Sequence, residues 1–182
     1  MRSGFLLTIG SVLLACGSID AQDSPKSTSN VITKMIEDSK QGFYEEAIRA
    51  GMSALENKPT DDVILRQIAV TYLMRADKDP ELSERWVKQA VVFADKSLTA
   101  NPAIDIGRYE IARTFELAGD LAKDGKCSLY SRALKSVAEW SSTFKGNSIN
   151  LEGKSVPVAF LIKQADETKS RIAGKQTQLH CE

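Results

Sequence analysis

Histidine is nearly missing from this chain: His180 is the only one in 182 residues. Ser-His and Cys-His nucleophile systems are thereby left without a base on any regular scaffold. His180 stands beside Cys181, but two adjacent ligands without a second pair make a poor zinc site. Net charge is missing as well. Lys plus Arg number 24 and Asp plus Glu number 24, with the signs interleaved, so no broad field draws polyanions to the surface. Aromatics are only 7% of residues and fall at core-like spacings, not between basic residues, which argues against nucleic-acid binding. Gly153-Lys154-Ser155 ends like a phosphate-binding loop, but Ser148 stands where the leading glycine belongs. Asp77, Asp79 and Glu81 have calcium-loop spacing, but Leu82 replaces the glycine of the sharp turn. The chain reads as non-enzymatic, with no cofactor and no metal.

Long apolar runs are also few. One extends from Phe5 to Ala15 behind Arg2, of h-region length and too short for a permanent span. Residues 1–21 therefore read as a signal peptide, with Ile19, Asp20 and Ala21 leading to a mature start at Gln22. A second processing route stays open, because Leu13-Leu14-Ala15-Cys16 resembles a bacterial lipobox in which Cys16 is acylated. Both routes place the chain outside the cytoplasm, periplasmic or secreted, and membrane attachment would come only through a lipid on Cys16. Residues 22–29 are rich in Ser, Asp, Lys and Thr and read as a flexible tether. The remaining ~150 residues suffice for one domain with a core.

What the sequence does have is internal repetition. Ala47, Ala90 and Ala133 recur at intervals of 43 residues, and so do Tyr44, Val87 and Tyr130, Ile48, Val91 and Leu134, and Gly51, Ala94 and Val137. Leu55 recurs as Leu98 and Pro59 as Pro102, while Ile68, Ala69 and Tyr72 return as Ile111, Ala112 and Phe115. Each copy reads as helix, turn, helix, with Gly42 breaking the first hairpin and proline kept to helix edges.

Gly42, Tyr44, Ala47, Gly51, Ala54, Leu55 and Pro59, followed by Leu65, Ile68, Ala69 and Tyr72, resemble the tetratricopeptide repeat. Val31 to Leu65 and Met35 to Ala69 are spaced by that family's standard 34 residues. The resemblance implies an all-α fold: antiparallel hairpins over residues 30–145, stacked as a short right-handed solenoid. HEAT or armadillo repeats have similar periods, but the Gly-x-Tyr-x-x-Ala start and the Pro59 and Pro102 stops favour the tetratricopeptide pattern. The second and third copies carry nine extra residues, near 75–85 and 118–128, which would lengthen either helices or turns. Arg108 replaces the apolar residue seen at Leu65, so the third copy is weakest.

Residues 146–156 lose helical periodicity and read as a connector. Val158, Phe160, Leu161, Ile162, Ala165 and Ile172 then predict a capping helix over 157–174, ending at Gly174, with a tail over 175–182. Setting Cys16 aside, Cys127 and Cys181 form an even pair. An antiparallel capping helix would return Cys181 to Cys127 as a disulfide; the alternative leaves Cys127 buried and free.

By pattern, the leading helix of each hairpin lines a concave groove. Its binding candidates are Ile32 and Ile36 in the first hairpin, Arg66, Val70 and Leu73 in the second, and Tyr109, Arg113 and Glu116 in the third. Arg66 and Arg113 have the fork geometry to take a carboxylate, and Tyr109 can stack. The expected function is a non-enzymatic scaffold of the cell envelope that binds a protein or peptide. The alternatives are a small-ligand-binding accessory protein with its pocket in enlarged turns, and a lipid-anchored tether with little specific recognition.

Overall fold

The computed structural model describes residues 25–102, 106–143, 148–151 and 154–181. The expected signal segment with Cys16, and residues 22–24 of the expected tether, lie outside them. The described residues form α1 (Pro25–Gln41), α2 (Tyr44–Asn57), α3 (Asp62–Lys78), α4 (Ser83–Ala100), α5 (Ile106–Leu121) and α6 (Lys126–Ser142), then β1 (Ser148–Leu151), β2 (Lys154–Pro157) and α7 (Val158–Gln178). None of these helices is long and apolar enough to cross a membrane.

Local chemistry sets the helix ends. Gly42 closes α1 at φ +86°, a conformation in which a Cβ costs energy. Its N–H reaches the Ser39 carbonyl at 3.2 Å, and the Phe43 N–H reaches Asp38 at 2.8 Å, the paired bonds of a Schellman motif. Asp61 caps α3 by accepting the Ile64 N–H at 3.2 Å. At the start of α4, Asp79 Oδ1 accepts the Leu82 N–H at 3.3 Å. The acidic residues near this turn thus include a backbone acceptor, and no carboxylate cluster able to hold a metal occurs among the described residues.

Packing follows the repeated column. Ala47, Ala90 and Ala133 are fully buried, as are Ala69, Ala94, Ala112 and Val137. A methyl group at each crossing lets paired helices approach closely, and Ile68, Ile111 and Phe115 are buried in the same core. Gly51 serves a tighter point, since a Cβ there would lie 2.8 Å from both Ile68 Cγ1 and Met35 Cε. Each helix packs on the next, and the leading helices α1, α3 and α5 also contact one another in order.

The nine extra residues of the later hairpins go mainly into helix. From Ala69, α3 continues nine residues to Lys78, where α1 continues six from Met35 to Gln41. The turn grows from two residues to four, and α4 starts seven residues before Ala90, where α2 starts three before Ala47. The third hairpin repeats the second. The expected enlarged turns are therefore turns of four residues each.

Three boundaries differ from the sequence reading. Residues 25–29, expected in the tether, begin α1, and the Thr28 hydroxyl ties that turn to Asp61 at 3.3 Å. The expected connector holds an antiparallel β-hairpin that pairs Ser148 with Pro157 and Leu151 with Lys154. The period-two spacing of Ile149 and Leu151 is too short to stand out beside Gly146, Asn147 and Gly153. The last helix starts at Val158 and passes through Gly174 to Gln178, because buried Ile172 and paired Lys175 hold the turns around the glycine. Leu161 and Ala165 of α7 seal Trp140 of α6 in a second apolar cluster.

Cys127 and Cys181 are disulfide-bonded, with Cα atoms 5.4 Å apart and a sequence separation of 54. Replacing both cysteines by serine should lower unfolding stability by about 4 kcal/mol on the loop-entropy relation, read from denaturant midpoints of the oxidised protein and the variant. Gly42→Ala should cost about 1 kcal/mol in the same assay, because alanine must hold a left-handed φ.

Candidate functional site

The leading helices were expected to present eight residues to a groove, and the structure separates the six on α3 and α5 into two groups. Arg66 pairs with Asp62 one turn back on α3, and its Nε donates to Glu110 of α5 at 2.9 Å. Tyr109 packs on Trp140 with ring centroids 4.4 Å apart, and its hydroxyl meets that of Thr168 on α7 at 3.3 Å. Leu73 is buried among the core side chains. Glu116 is 4% exposed. Arg66 bridges α3 to α5, Tyr109 and Glu116 are covered from α6 and α7, and Leu73 is buried, so these four side chains are spent on the fold.

Val70 and Arg113 form the second group. Val70 is half-buried, and Arg113 is exposed, with no ion pair among the described residues. One helical turn further on, Met74 and Leu117 are also half-buried, which extends a partly apolar strip along α3 and α5 beside the Arg66–Glu110 bridge. Sequence reasoning missed Met74 and Leu117, although their i+4 spacing from Val70 and Arg113 was the signal. Ile32 and Ile36 of α1 are half-buried as well.

The strongest electrostatics lie under α7. Arg171 grips Glu116 with both arms of its guanidinium, at 2.7 and 2.8 Å, and Lys175 Nζ donates to Glu116 at 2.8 Å. Lys175 also reaches Asp120 at 2.7 Å, and Asp120 accepts the Tyr130 hydroxyl at 2.8 Å. Burial pushes the Glu116 carboxyl up, but hydrogen bonds and charge from Arg171 and Lys175 outweigh it, so its pKa falls below 4.5. Donating to Glu116 holds the Arg171 guanidinium more firmly protonated. Burial, reinforced by the bond to Asp120, raises the Tyr130 phenol.

His180 belongs to the same region and serves it through its backbone. It adopts φ +52° beyond α7, with its N–H on the Thr177 carbonyl at 3.1 Å and the Cys181 N–H on Gln176 at 3.0 Å. The bonds match those that close α1, and they deliver Cys181 to its disulfide.

A separate cleft of about 510 Å³ opens where α1, α2 and the start of α3 meet. Val31, Ala50, Ala54 and Ile64 give it apolar walls, and Thr28, Ser53, Asn57 and Lys58 add polar groups. Lys58 is held at 3.0 Å by Asp61.

No family model matches the chain, and no curated protein or solved structure matches it at a significant level.

Because the Glu116 pKa is lower in the folded chain, its contribution is fully present above the unfolded value near 4.5 and is lost as pH falls through the folded value. Glu116→Gln should cost about 2 kcal/mol at pH 7 and flatten the stability loss below pH 4.5, measured by urea unfolding across pH 2.5–7.

Proposed function

We propose that this chain is a short tetratricopeptide-like solenoid, exported to the cell envelope, that holds a protein or peptide along the leading helices α1, α3 and α5. The observation that carries this reading is the strip of Val70, Met74 and Leu117 with exposed Arg113. Such a strip offers a partner apolar contact and one cation to orient it.

The repeated seams support the solenoid. Ser39 Oγ on α1 lies 3.1 Å from Thr71 Oγ1 on α3, Arg66 on α3 binds Glu110 on α5, and Glu116 on α5 binds Arg171 on α7. Ser39, Leu73 and Glu116 are the same position of successive copies, and all are buried. In this arrangement α7 stands as a fourth leading helix. Chemistry at the α1 end agrees. Where α3 and α5 carry Ile68 and Ile111 against the preceding hairpin, α1 carries Lys34; where they carry Tyr72 and Phe115, it carries Asp38. Lys34 and Asp38 pair at 2.9 Å, a polar face suited to the first element of a stack. On α7, Lys163, Asp166 and Glu167 are exposed alongside Phe160 and Ile162, so its outer face is mixed rather than purely polar.

The Cys127–Cys181 disulfide supports an oxidising compartment, in keeping with the Phe5–Ala15 run. A small-ligand role would use the α1–α2 cleft, since the turns are short.

Affinity capture from the native envelope should recover a protein with the mature chain and lose it with a Val70→Glu, Arg113→Ala, Leu117→Glu variant whose circular dichroism is unchanged. A Lys163→Ala, Glu167→Ala control on α7 should capture normally. Equal capture by the groove variant would refute the groove.

A further inference from the structure

We propose that the Cys127–Cys181 disulfide is a redox-controlled latch, and that its reduction by a dithiol frees the last turns of α7 beyond Gly174 while the rest of the helix stays docked. The buried face of α7 consists of Val158, Leu161, Ala165, Thr168 and Ile172, and it ends there. Beyond Gly174, no described residue is buried. The attachments of this last segment are polar or covalent: Lys175 on Glu116 and Asp120, Gln176 Nε2 on the Ser131 hydroxyl at 3.0 Å, and the disulfide. The bonds to Asp120 and Ser131 are exposed to water, where such contacts contribute little. Gly174 marks the joint. A Cβ there would meet nothing within 4 Å, so packing does not call for a glycine, and glycine is among the weakest helix formers.

The disulfide is placed for exchange. Both cysteines are half-buried, and exposed Leu179 and His180 precede Cys181, so a small thiol can reach its sulfur. Cys127 is the second residue of α6, a 17-residue helix whose unpaired N–H groups and dipole stabilise a departing thiolate. In the exchange, one thiolate of the dithiol attacks Cys181 Sγ, the S–S bond breaks, and its electron pair leaves on Cys127 Sγ. The second thiol of the dithiol then displaces Cys181, so the dithiol is oxidised to a disulfide and both cysteines take up protons. With the chain end free, Lys175 leaves Glu116 and Asp120. Glu116 keeps both bonds from Arg171, which holds α7 in place, while Asp120 loses its ion pair. The reduced state thus presents a more acidic edge at the end of the third hairpin, whether or not the groove binds a partner.

The test is hydrogen exchange, read by mass spectrometry on the whole chain, oxidised and in millimolar dithiothreitol, with thiol alkylation reporting the state of the cysteines. Amides at 175–181 should exchange on the order of tenfold faster once the bond is reduced, while those at 161–168 keep their protection. Cys127→Ser, Cys181→Ser should show the same fast segment without reductant. Gly174→Ala should slow exchange of that segment about fivefold in the reduced chain, because alanine holds the helix better than glycine. Unchanged exchange at 175–181 in a folded, fully reduced chain, acceleration spread evenly over α7, or a disulfide that dithiothreitol leaves intact in the native chain would overturn the latch.

Discussion

Two helices approach closely only where their facing side chains are small, and this chain meets that constraint three times with Ala47, Ala90 and Ala133 at zero exposure. The remaining packing depends on those crossings. A longer side chain at any of them would push the trailing helix outward and open gaps around Ile68, Ile111 and Phe115, each of which contributes about 1.5–3 kcal/mol by leaving water. Gly51 carries the same logic further, into a contact shared by Met35 and Ile68 that leaves no room for a Cβ.

The C-terminal helix is held differently. Its apolar footing is modest, chiefly Leu161, Ala165 and Ile172, and polar bonds reinforce it. Glu116 would be an expensive buried charge alone; two cations and three hydrogen bonds make it a clamp. The disulfide then closes the far end of the same helix. One carboxylate from the third hairpin and one cysteine from its trailing helix thus keep α7 over Tyr109 and Trp140.

These contacts also reorganise the view of recognition. Arg66 has a guanidinium fork suited to a partner's carboxylate, but Asp62 and Glu110 already satisfy it within the fold. Tyr109 and Glu116 are covered by α7. What remains open on the leading helices is less polar than the sequence pattern implied. In the proposed reading, a partner would meet Val70, Met74 and Leu117 first and Arg113 as its main charge.

The sequence by itself determined the helical hairpins, their small-residue crossings, and the even cysteine pair. Those features follow from local periodicity and from the repeat, which are visible in one dimension. It also placed Leu73 and Glu116 on the leading helices, but not which neighbour would cover them. Only the tertiary structure decided that, because a seam between helices and an open groove draw on the same helical face and differ by a rotation of less than one residue's arc. The same holds for the extra nine residues, for Gly174 inside α7 and for the pairing of Ser148 to Leu151 with Lys154 to Pro157. In each case the outcome rests on contacts with residues distant in sequence, where local propensity is weak and burial or charge pairing prevails.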